Sequence, residues 1–104
     1  MNAVRLLAAA VGLALAGASA AQSPEDLLKK NGCTACHAVD KKVIGPAFKD
    51  VAAKYAGDKE AVDKLAKKVQ KGGTGVWGTA VMPANPQVSD AEAKQLVTWI
   101  LGLK

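Results

Sequence analysis

The residues best equipped for chemistry sit in one five-residue string, Cys33-Thr34-Ala35-Cys36-His37, which contains both cysteines and the single histidine of the chain. Two thiols separated by two residues can reach one porphyrin edge and add across its vinyl groups as thioethers, which leaves the next residue against the metal. A neutral imidazole is a good axial ligand for haem iron once its other ring nitrogen finds an acceptor that fixes the tautomer. The string therefore predicts one covalently attached haem c, bonded at Cys33 and Cys36 and ligated by His37. Three other chemistries share parts of it. A thioredoxin-type dithiol belongs in a βαβ setting, and no strand pattern precedes Cys33. A Cys33–Cys36 disulfide would close too short a loop to stabilise much. A zinc site would lack its fourth Cys or His.

The opposite face of the iron needs a second donor. Met82 is the one methionine besides Met1, so bis-histidine ligation within the chain is excluded and His/Met ligation follows. Met82 stands in an irregular Gly- and Pro-containing stretch, is followed by Pro83, and is far enough along the chain to reach the far side of the porphyrin. A lysine, Tyr55 or an open distal position remain alternatives. With the last, the protein would be a haem enzyme or gas sensor. With both axial positions filled there is no place on iron for a substrate, which predicts electron transfer. A thioether ligand raises the potential, and a six-coordinate site kept in both oxidation states rearranges little.

These residues need a scaffold, and the apolar periodicity supplies an all-α one. Ser23, Pro24, Glu25 and Asp26 open a helix that runs to about Asn31. A second spans roughly Ala47 to Ala56, with Phe48, Val51, Ala52 and Tyr55 on one face and Gly57 as its stop. Asp58 is placed to cap a third, whose face carries Val62, Leu65, Ala66 and Val69 and which Gly72 and Gly73 end. Ser89 and Glu92 form a capping box ahead of the stripe Ala93, Leu96, Val97, Ile100 and Leu101. The 72–88 segment between the last two helices is longer than a compact domain ordinarily tolerates, which marks it as functional.

Ahead of all this, Arg5, the apolar run Leu6 to Ala16 and the small residues through Ala21 read as a secretory leader, with cleavage before Ala21 or Gln22. A retained anchor is the alternative, although the run is short for a membrane span. Residues 22–104 then form one domain, small enough to need a staple such as a covalent cofactor. The whole chain carries +5 at neutral pH. Its sole arginine, Arg5, leaves with the leader, and a mature chain without arginine argues against nucleic acid as the partner. The remaining lysines suit weak encounter with acidic proteins.

Beyond the haem string, the chain resembles the short bacterial class I c-type cytochromes, the cytochrome c-551 and c-552 group. The matching residues are Val43-Ile44-Gly45-Pro46-Ala47, Lys49-Asp50-Val51-Ala52-Ala53-Lys54-Tyr55, Gly75-Val76-Trp77-Gly78, Met82-Pro83 with Asn85, and Val88-Ser89-Asp90. The resemblance implies a cytochrome c fold of four to five short helices around one haem, with the first and last helices crossing. It also implies that the Pro46 carbonyl accepts from His37, that Trp77 donates to a haem propionate, and that Asn85 bonds near the methionine sulfur. Where the family often has an arginine near the propionates, this chain has Lys68, a point charge in place of a fork. The role implied is that of a periplasmic carrier, passing electrons from a cytochrome bc complex or other donor to a terminal oxidase, nitrite reductase or peroxidase; a monomer is the default expectation.

Overall fold

The computed structural model describes residues 22–104, and the leader expected at residues 1–21 lies outside the described residues. Four α-helices and one 3-10 turn make up the regular structure, and no strand occurs among the described residues. Helix α1 covers Pro24–Lys30. Proline at its opening position costs no hydrogen bond, and Ser23 Oγ accepts from the Asp26 N–H at 3.1 Å. Its end is tied off by Asn31, whose Nδ2 donates to the Leu27 carbonyl at 2.9 Å.

A 3-10 turn, Cys33–Ala35, follows at once, entered through Gly32 at φ +73°. Periodicity could not reveal this element, because a single tight turn has no repeat. Helix α2 is Phe48–Lys54 and helix α3 is Ala61–Lys71. Asp58 stands further from α3 than a cap would. Its Oδ1 accepts from the Glu60 N–H at 2.8 Å and its Oδ2 from Lys64 Nζ at 3.0 Å, so it closes the turn that feeds the helix, and Glu60 takes the cap position.

Helix α4, Asp90–Leu101, opens with the full capping box: Ser89 Oγ accepts from the Glu92 N–H at 3.1 Å and Glu92 Oε1 accepts from the Ser89 N–H at 3.2 Å. It is the central element and packs against α1, α2 and α3. Leu27, Leu28, Phe48, Ala66, Val88, Ala93, Leu96 and Ile100 form one buried cluster, and Cys33 packs on its edge. Alanine at 66 and 93 lets α3 and α4 approach closely. Lys94 reinforces that contact from outside, lying 3.2 Å from Asp90 and 3.8 Å from Asp63 of α3.

Candidate functional site

The helices do not close on one another completely. They leave a cavity of about 480 Å³, within the range of ordinary ligand and cofactor sites, to which every helix contributes a wall residue: Leu28, Phe48, Val69 and Leu96 among them. Cys33, Cys36, His37, Pro46, Lys68, Trp77, Met82 and Asn85 all border it, so the residues singled out from the sequence converge on one apolar space.

The histidine wall is built from short-range bonds. The Cys36 and His37 N–H groups both donate to the Cys33 carbonyl, at 3.2 and 3.0 Å, which wraps the chain into its tight turn. The Cys36 carbonyl accepts from the N–H groups of Ile44 and Gly45 at 3.2 and 2.7 Å, folding the next segment back onto the string. His37 Nδ1 then lies 2.8 Å from the Pro46 carbonyl oxygen. A carbonyl can only accept, so Nδ1 carries the proton and Nε2 keeps its lone pair.

Two further residues hold that ring, and neither was assigned this role from the sequence. Phe48 stacks on it, with centroids 5.0 Å apart and planes 20° from parallel. Gly45 lies so close that a Cβ there would come within 2.6 Å of His37 Cε1. The signals available were a glycine beside a proline and an aromatic two residues on, which read as a turn and a helix face.

The methionine wall is built from fewer bonds, across the base of a longer loop. Gly73 and Met82 exchange two backbone hydrogen bonds, each of 2.9 Å, across the base of the long loop. Gly72 makes this approach possible. It adopts φ +72° and ψ −164°, a region essentially reserved for glycine, and any Cβ would run into the Met82 carbonyl. Asn85 stitches the loop to α3. Its N–H donates to the Gln70 carbonyl at 3.0 Å, and its Nδ2 donates to the carbonyls of Val69 and Pro83 at 3.0 and 3.3 Å. Both amide protons are thus directed at backbone oxygens, whereas the resemblance implied a bond near the methionine sulfur.

Lys68 Nζ rests beside Gly73, where a side chain would meet it, and Trp77 stands at the cavity mouth about two-fifths exposed. Ile44, Val76 and Val81, all exposed, continue the apolar lining onto the surface.

This arrangement fits haem c. The two sulfurs are not joined in a disulfide and lie beside an imidazole with an available lone pair, a thioether borders the same apolar space, and an ammonium and an indole can meet carboxylates at the rim. It suits the competing chemistries poorly. Burial pushes the Cys33 thiol above its ordinary value, the wrong direction for a dithiol that works as thiolate. Among the described residues no group of three or more His, Cys, Asp and Glu could hold a bare metal ion.

Comparison with known proteins agrees. Residues 23–104 match the family model described as Cytochrome c. The chain is 58% identical to cytochrome c-552 of Hydrogenobacter thermophilus, over 95% of this chain and 96% of that one. It is 50% identical to cytochrome c-551 of Pseudomonas aeruginosa, over 91% and 90% of the two chains. The crystal structure of wild-type Nitrosomonas europaea cytochrome c552 superposes with a TM-score of 0.75 at 57% identity, covering 77% of this chain and 99% of that one.

Proposed function

Because the chain belongs to the cytochrome c family and carries one covalently attached haem c, we propose that Cys33 and Cys36 bear the thioethers and that His37 Nε2 and Met82 close the two axial positions. The protein is an electron carrier and not an enzyme. The observation that carries the ligand assignment is the convergence of both thiols, the imidazole and the thioether on one apolar cavity.

When bound, the haem supplies a ferric/ferrous couple. The chain's own residues set the conditions for it. Pro46 holds the His37 proton on Nδ1, and Phe48 and Gly45 fix the ring's orientation. The Gly73–Met82 pairing fixes the Met82 backbone without the metal, which limits rearrangement between oxidation states. Trp77 donates to a haem carboxylate and Lys68 neutralises it. Asn85 serves the methionine by anchoring its loop.

The mature protein is residues 22–104, a monomer in the periplasm, working between respiratory donors and acceptors such as a cytochrome bc complex and a terminal oxidase, nitrite reductase or peroxidase. Exposed Val43, Ile44, Val76 and Val81 lie in the two segments flanking the cavity mouth. A small apolar patch amid lysines suits brief complexes with acidic partners, burying less than roughly 1,200 Å².

Carbon monoxide tests the sixth ligand. The ferrous wild-type protein should not bind the gas, and Met82→Ala should bind it readily. Ready binding by the wild type would sink this reading and favour a gas sensor or haem enzyme. Loss of the weak long-wavelength band of methionine-ligated ferric haem in the variant is the second readout.

A further inference from the structure

Lys54 is the last residue of α2, and it faces the loop that carries Trp77. Its Nζ lies 5.6 Å from the centroid of the Trp77 ring and 6.0 Å from that of Tyr55. Both are within reach of the attraction between a cation and the negative face of an aromatic ring, and indole is its strongest acceptor. The ion pairs among the described residues are Lys64–Asp58, Lys94–Asp63 and Lys94–Asp90, and none of them involves Lys54. Its place in the last turn of α2 also favours a positive charge.

The hydrogen bonds at the tip of the loop that carries Trp77 stay within it. Across its tip the Gly75 N–H donates to the Gly78 carbonyl and Thr74 Oγ1 to the Ala80 carbonyl, both at 3.1 Å and both within the loop. Lys54 therefore supplies a contact between the indole and a helix, which the hydrogen bonds of the loop do not. Trp77 borders the cavity and Lys54 does not, which places the ammonium outside and the ring at the wall.

The geometry points to Lys54 as a positioning residue that acts through Trp77. Its charge on the ring face holds the indole at the cavity mouth and, by drawing ring electron density toward itself, makes the indole N–H a stronger donor. This rests on the assignment above of Trp77 as donor to a haem carboxylate. A better-satisfied carboxylate stabilises the ferric iron less, so Lys54 raises the reduction potential by way of the ring.

The test compares five holoproteins: wild type, Lys54→Met, Lys54→Arg, Trp77→Phe and the Lys54→Met/Trp77→Phe double variant. Reduction potentials are titrated at fixed pH and ionic strength, and exchange of the indole N–H protons is followed by NMR with Trp99 as internal reference. Lys54→Met should lower the potential and speed exchange at Trp77 about two- to fivefold, as expected for a surface cation–π contact. Lys54→Arg should retain both wild-type values. In the Trp77→Phe background, Lys54→Met should shift the potential much less. An equal shift in both backgrounds would mean that the charge acts through space, and the inference fails. A Trp77→Phe potential equal to wild type would instead overturn the carboxylate assignment of Trp77, and this inference with it.

Discussion

Residues 33–48 and residues 72–88 face each other across one cavity and are held by different means. The first segment is over-determined: within sixteen residues it wraps a 3-10 turn, folds back on the Cys36 carbonyl, and clamps the His37 ring by a hydrogen bond, a stacked ring and a close backbone. The second holds Met82 by a paired backbone contact at Gly73, within the segment, and by Asn85, which reaches back to α3. The histidine face is thus rigid by local construction, and the methionine face is as rigid as its two anchors. A carrier built this way should lose its thioether ligand well before its imidazole.

Substitutions at the anchors can break that contrast. The largest effect belongs to Gly72→Ala, where a glycine-only backbone conformation and a clash with the Met82 carbonyl act together. Roughly 3–5 kcal/mol of stability should go, together with the methionine band, as denaturant titration and the visible spectrum would show. Gly45→Ala pushes a methyl group against the imidazole and should cost about 1–3 kcal/mol, because a ring edge can give where backbone cannot. If Gly45→Ala proves the costlier, the histidine face is the more brittle one and the contrast is reversed.

Asn85→Ala removes the side-chain bond from the loop to the Val69 carbonyl of α3 and leaves the backbone bond to Gln70 in place. A loss of about 1–2 kcal/mol, with faster amide exchange at Met82 and unchanged exchange at His37, would show that the two faces open separately. The smallest effect should touch neither face. The Glu60 N–H and Lys64 hold the Asp58 carboxyl below its ordinary value of 3.8. A lowered folded-state value stabilises above that ordinary value and the benefit fades as pH falls through the folded one. Asp58→Asn should flatten only this acid limb of the stability curve, and leave the haem spectrum as it was.

The contrast between the two walls also explains how much could be read from residues alone. The haem string is legible because its chemistry is covalent and local, and α4 because Ser89 and Glu92 cap it within one turn. Pro46 could be tied to His37 through resemblance, since it lies nine residues away. Phe48 looked like a helix face, and nothing in its period says which ring it covers. Gly72 was visible as a stop, but its closeness to Met82 is a relation between residues ten apart that no local pattern encodes. Asp58 misled for a related reason: an acid near a helix start can serve the preceding turn or the helix itself, and Lys64 draws it toward the turn.

Cys33 packs against the same cluster that joins α1 to α4. With a thioether at that sulfur, the porphyrin is sewn to the residues from which the interior is made, and melting the protein separates neither from the other. A denatured molecule keeps a large apolar plate attached beside its first helix. Refolding would start from that tethered seed, and the order of biosynthesis would be fixed in the same way: attachment while the thiols are still reachable, closure afterwards.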